Sequence, residues 1–98
     1  MAKNLQFIES KGIVIENLEA IEINLVQCSD ERMLDFQNTY YNEVLSLIEE
    51  TRDCSSWAQL DEIVGKAKIL EIDIASWLAR HGRTSLSLPW PKIPKNLS

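Results

Sequence analysis

The side chains that most often act as nucleophiles or metal ligands are scarce in this chain of 98 residues. One histidine, His81, and two cysteines, Cys28 and Cys54, lie in three separate segments. Protein zinc sites usually take ligand pairs from short local spacings, and a cysteine nucleophile needs an adjacent base. The pattern therefore predicts no metal, no cofactor and no catalytic residue. It also predicts that both cysteines are free thiols.

Acidic residues are the other groups that could do chemistry, and six of them form adjacent pairs. Neighbouring residues on a helix point about 100° apart, so the two carboxylates of such a pair do not converge on one proton or one cation. We therefore expect these pairs to be solvated and the chain not to be an enzyme. The pairs are Asp30–Glu31, Glu49–Glu50 and Asp61–Glu62.

Two stretches place apolar residues at the three- and four-residue steps of an amphipathic helix. The first covers 30–52, and Ser29 before it can accept a hydrogen bond from a free amide of the first turn. The second covers 57–81 and opens on Ser56 and Gln59, a capping-box pair. Both stretches are predicted to be helices.

Two other stretches fit either a helix or a strand. Residues 13–27 have apolar residues at helical spacing, but they are also rich in β-branched residues that partly alternate with polar ones. Residues 68–74 alternate in the same way, which would interrupt the second helix. We favour helix for 13–27 and expect a break before it at Lys11 and Gly12, because glycine tolerates the backbone angles of a helix end.

These elements predict an all-α fold: a small antiparallel bundle of three to four helices, with an extended proline-rich C-terminal tail packed on it. The alternative is an α+β fold with short strands near 13–27 and 68–74. In either case the chain divides into a helical domain, 1–82, and an extended basic tail, 83–98.

The tail combines apolar and basic side chains. It holds all three prolines of the chain, which exclude regular helix and favour extended backbone. Residues 80–98 carry four basic and no acidic residues, whereas 1–79 have a net charge of −9. Because exposed apolar surface is unfavourable in water, we expect the tail to pack on the acidic body or on an identical neighbour.

An acidic body without a catalytic cluster indicates a protein that acts by binding. We expect a non-enzymatic protein–protein interaction module: a small acidic helical regulator, inhibitor or adaptor. Its partner would be a protein, with basic character favoured by charge, and it would also self-associate, for example as a dimer. The expected partner-binding residues are Tyr41, Leu86, Leu88, Trp90 and Ile93.

The alternative function is a nucleic-acid-associated regulator that uses 70–84 and the basic tail. A turn at 69–73 would give a helix-turn-helix, although the acidic body opposes binding of an anionic polymer. The N-terminal segment lacks the apolar stretch of a signal peptide, and no run has the length of a membrane span, so we expect a cytoplasmic location and no membrane partner. The residues for this alternative are Arg80, Arg83, Lys92 and Lys95.

Overall fold

A computed structural model describes residues 2–27, 34–80 and 87–93 of the chain. It contains three α-helices: α1 (Ala2–Gln27), α2 (Leu34–Asp53) and α3 (Trp57–Arg80). The expected all-α bundle is confirmed, with three helices in the described ranges.

The α+β alternative is wrong. Residues 13–27 lie within α1 and 68–74 lie within α3, and the described residues contain no strand. The physical reason is that a helix places the buried apolar side chains of each stretch on one face. A strand would have pointed the same side chains to two opposite faces. The possible interruption of the second helix is absent as well, since α3 is continuous from Trp57 to Arg80.

The helices run antiparallel, and side-chain hydrogen bonds show the register of α1 against α2. Near the start of α1, Lys11 Nζ donates to the carbonyl oxygen of Arg52, at the end of α2, over 3.0 Å. Near the other end of α1, Gln37 Nε2 donates to the carbonyl oxygen of Leu25 over 2.8 Å. Only three residues, 54–56, separate α2 from α3, so these helices must also be antiparallel neighbours.

One hydrophobic core joins all three helices. Each helix contributes residues at three- and four-residue steps, and α3 contributes the most. The described helices include none that is both long enough and apolar enough to cross a bilayer. The helical residues of the core are Val14, Leu18, Ile21, Leu25, Val44, Leu47, Ile48, Leu60, Ile63, Val64, Ala67, Leu70, Ile74 and Leu78.

The break expected at Lys11 and Gly12 is wrong, because α1 continues through both residues. A glycine inside a helix costs about 1 kcal/mol relative to alanine. Burial of Ser10 and Val14, on either side of the glycine, holds this part of α1 against the bundle and offsets that cost. Tertiary packing therefore overrides the local preference.

The connection between α2 and α3 is held by short-range hydrogen bonds. The amide of Cys54 donates to the carbonyl oxygen of Thr51 over 3.4 Å, which closes the last turn of α2. The amide of Gln59 donates to Ser56 Oγ over 3.2 Å, and Gln59 Oε1 accepts from the amide of Ser55 over 2.8 Å. The capping pair read from the sequence is thus present, with the glutamine reaching one residue further back. The expected cap at Ser29 lies outside the described residues.

Candidate protein-interaction site

The C-terminal stretch 87–93 runs without regular secondary structure along the bundle. Three of its side chains, Leu88, Trp90 and Ile93, are half-buried and pack against the hydrophobic core. These are three of the five residues expected to bind a partner, and here they contact the protein's own body. The fourth, Leu86, lies outside the described residues.

Two hydrogen bonds attach this stretch to different helices. Asn17 Nδ2 of α1 donates to the carbonyl oxygen of Pro89 over 2.9 Å. The indole nitrogen of Trp90 donates to Glu71 Oε2 of α3 over 2.9 Å. Because Asn17 is buried, its amide needs such a partner, and an extended backbone without internal hydrogen bonds supplies one. The stretch therefore lies over the groove between α1 and α3.

Tyr41, the fifth expected partner-binding residue, lies at the α1–α2 contact. Its ring is half-buried against the core, and its hydroxyl is 3.3 Å from Glu22 Oε1, to which it can donate. The neighbouring Tyr40 is half-buried as well, on the side of α2 that faces α3. Burial raises the pKa of Tyr40 above its ordinary value of 10.0, and the carboxylates of Asp73 and Glu43 raise it further, while Arg80 opposes them.

The four basic residues of the alternative function do not form one described cluster. Arg80 is exposed at the end of α3, where its Nε lies 3.4 Å from the carbonyl oxygen of Ser76. Lys92 is exposed in the C-terminal stretch. Arg83 and Lys95 lie outside the described residues. Since α3 is unbroken, the described residues also lack the helix-turn-helix that this function would use.

The described residues show no arrangement suited to catalysis. Cys54 is a buried free thiol, and its burial raises the pKa of the thiol more than nearby Lys11 lowers it. A thiol held in its protonated form is a poor nucleophile. No group of three metal-ligating side chains occurs in the described part of the chain. Cys28 and His81 lie outside it.

A shallow groove between α1 and α2 combines exposed apolar side chains with carboxylates. Its volume is about 340 Å³. Ile23 on α1 is 56% exposed and Leu45 on α2 is 37% exposed, so both apolar side chains are accessible to a partner. We refer to this surface as the α1–α2 groove. It is lined by Glu19, Glu22, Ile23, Leu45, Ile48, Glu49 and Arg52.

The groove between α2 and α3 is more polar. It forms two adjoining depressions of about 390 and 290 Å³ that share Ser46, Glu50 and Lys66. Within the described part of the chain, Lys66 is the single basic residue that lines them. The acidic residues that line them are Glu43, Glu49, Glu50, Asp53, Glu62 and Asp73.

Sequence reasoning identified Tyr41, which borders α1 opposite Glu22, but it did not identify Ile23 or Leu45. The exposure of Ile23 could have been predicted, because this residue falls outside the apolar helical face of 13–27 and is therefore expected to contact water.

No family model matches the sequence, and comparison with curated proteins and with solved structures gives no significant match.

Proposed function

We propose that this chain is a non-enzymatic protein–protein interaction module, an acidic helical regulator, inhibitor or adaptor, whose α1–α2 groove binds a basic segment of another protein. The observation that carries the proposal is the composition of that groove. It places exposed apolar side chains, Ile23 and Leu45, among three carboxylates.

The apolar part of the groove would supply most of the binding free energy. Helix-in-groove recognition uses apolar anchors that enter a depression between two helices. Ile48, buried at the bottom, and the exposed Ile23 and Leu45 give an apolar surface of this kind. Truncating such an anchor commonly costs more than 1 kcal/mol of binding.

The charged part of the groove selects the partner. Glu19, Glu22 and Glu49 outnumber Arg52, and the whole chain has a net charge of −5. Complementary charge raises the association rate and disfavours partners of the same sign. A segment with apolar anchors flanked by lysine or arginine fits this surface, whereas an acidic segment would be repelled.

We also propose that the whole tail, 83–98, is a strap on the bundle rather than an arm for a partner. The contacts of Leu88, Trp90 and Ile93 with the core support this. A strap over the α1–α3 groove would leave the α1–α2 groove accessible to a partner. It would also bring the basic end of the chain onto an acidic body.

Titration with a defined peptide tests the proposed groove. The probe is a synthetic amphipathic helical peptide of leucine and lysine, and the control peptide has glutamate in place of each lysine. We expect amide resonances around Ile23 and Leu45 to shift with the lysine peptide and not with the control. The variant Ile23→Lys should lose the effect, while Ile72→Lys, a matched change on the exposed side of α3, should retain it. Shifts confined to other surfaces would contradict the proposal.

The strap is tested with Trp90→Phe and with a chain truncated after residue 83. The phenylalanine keeps one aromatic ring against the core but loses part of the indole surface and the donor to Glu71, so we expect a loss of at least about 1 kcal/mol of stability. The truncated chain should lose more. Unfolding in urea measures both, and an unchanged midpoint for the truncated chain would favour the free arm.

The nucleic-acid alternative stays a prediction, and a salt series tests it. It requires labelled DNA to bind at low salt and to dissociate steeply as salt rises, because counterion release drives such binding. If the wild-type chain binds DNA and the variant Arg80→Ala binds it more weakly, the result would favour this alternative over the interaction module.

A further inference from the structure

The outward side of α3 carries two large apolar side chains that the described fold leaves in water. Ile69 is 64% exposed and Ile72 is 61% exposed. On the same side, Gly65 and Ser76 are exposed one turn beyond them at either end. We call this surface the α3 outer face. Two large apolar side chains side by side on one helix, flanked by small residues, offer a surface on which another helix can pack closely.

We propose that the α3 outer face binds the same face of a second copy of this chain, with the two α3 helices antiparallel. The inference deepens the self-association expected from the sequence, and it does not depend on the proposed function of the α1–α2 groove. A twofold axis would lie midway between Ile69 and Ile72. Ile69 of one copy would then contact Ile72 of the other copy, and this contact would occur twice.

The charges that α3 itself carries on one side of the face match in this arrangement. Lys66 and Asp73 line the α2–α3 groove, and Glu62 lines the same groove further along. Glu43 and Glu50, which line the same groove, belong to α2 and lie farther from the proposed axis. Arg80 follows Asp73 by seven residues, about two helical turns, so it lies on the same side of α3. A twofold axis that makes the helices antiparallel brings this side of one copy against the same side of the other.

The axial positions of these charges match. A helix rises 1.5 Å per residue, which puts Lys66 about 7 Å on one side of the proposed axis and Asp73 about 4 Å on the other. In the antiparallel pair, Lys66 of one copy therefore lies within about 3 Å, along the axis, of Asp73 in the other. Glu62 and Arg80 match within about 2 Å. Both of these pairs occur twice, and both join opposite charges.

The parallel arrangement fails the same comparison. It would bring the α2-facing side of one copy against the opposite side of the other, which carries Asp61 and Lys68. Lys66 would then meet Lys68, and Glu62 would meet Asp61, at nearly the same heights. The outer side of α1 is also unsuited to a second copy, because it carries Glu19 between its exposed apolar residues and would repel itself.

A heterodimer experiment with charge variants tests both the face and the orientation. The dimer dissociation constant of the full chain is measured by sedimentation for the wild type, for Lys66→Glu and for Asp73→Lys. Each single variant places like charges together twice per dimer, so we expect the dissociation constant to rise roughly tenfold. An equimolar mixture of the two variants restores both attractions, and its affinity should return to about that of the wild type.

Two apolar variants locate the interface. Ile69→Glu should abolish the dimer, whereas Ile8→Glu, a change at an equally exposed isoleucine of α1 (63% exposed), should leave it intact. Circular dichroism checks that both variants remain folded. If Ile8→Glu disrupts the dimer and Ile69→Glu does not, the chain self-associates through another surface and the inference is overturned. A wild-type chain that stays monomeric throughout the micromolar range would overturn both, without affecting peptide binding by the α1–α2 groove.

Discussion

Lys11 joins α1 to the end of α2 and to the connection that follows it, and its removal tests the packing at this end of the bundle. Its ammonium donates to the carbonyl oxygens of Arg52 and Cys54, each over 3.0 Å. It also lies 5.6 Å from the centre of the Phe7 ring, which packs edge-on against Trp57 at a centroid distance of 5.1 Å. A cation at the end of α2 opposes the negative end of the helix dipole.

The substitution Lys11→Met keeps most of the aliphatic stem and removes only the charge and the donors. Hydrogen bonds to a charged group contribute about 1.5–3 kcal/mol when they are shielded from water. The bond to Arg52 is exposed and contributes less, whereas the bond to Cys54 is partly buried. We therefore expect a total loss of about 2 kcal/mol, and a lowering of the melting temperature by about 10 °C for a domain of this size.

Urea unfolding followed by circular dichroism measures the loss, with Lys68→Met on the exposed side of α3 as the matched control. The control should change the free energy of unfolding by less than about 0.5 kcal/mol. If Lys11→Met falls within the same limit, the two hydrogen bonds contribute nothing to stability and the reasoning is refuted. A further consequence is a higher pKa of Cys54, because Lys11 is the group that opposes the effect of burial on that thiol.

Two more predictions concern single residues. Gly12→Ala should raise the free energy of unfolding, measured in a urea titration, by about 1 kcal/mol, because alanine favours the helix and an added Cβ meets no described atom within 4 Å. A loss of stability would show that another part of the protein packs on this glycine. Tyr40→Phe should flatten the alkaline limb of the stability curve. The folded protein raises the pKa of Tyr40, so this group stabilises the fold fully below pH 10.0 and the contribution falls as the pH rises through the folded-state value. Parallel wild-type and Tyr40→Phe curves between neutral pH and strongly alkaline pH would contradict this.

The sequence predicted α3 well, because one periodic pattern covers its whole length. Seven of its apolar residues, from Leu60 to Leu78, recur on a single face and are buried, whereas Ile69 and Ile72 lie off that face and are exposed. Its start was also predictable, since Ser56 and Gln59 form local hydrogen bonds that depend on no distant residue. A cap and a helical face are properties of neighbours in the chain, so the sequence alone contains them.

The same reasoning predicted the two tyrosines less well. Adjacent helical residues point about 100° apart, which suggested that one of Tyr40 and Tyr41 would be buried and the other would lie at a rim. The structure makes both half-buried, because α1 packs on one side of α2 and α3 on the other. The number of neighbours around a helix is a property of the assembled bundle.

The clearest limit of the sequence is α1. Its apolar residues lie on more than one side of the helix, so spacing alone does not choose the face that packs. Spacing places Ile23 off the apolar face of 13–27, but only contact with α2 and α3 separates Val14, Leu18 and Leu25, which are buried, from Val26, which is 56% exposed. Composition and spacing therefore determined that this chain forms helices and has a net charge of −5. Which apolar side chains remain for a partner was decided by tertiary packing, because burial depends on what lies opposite each side chain.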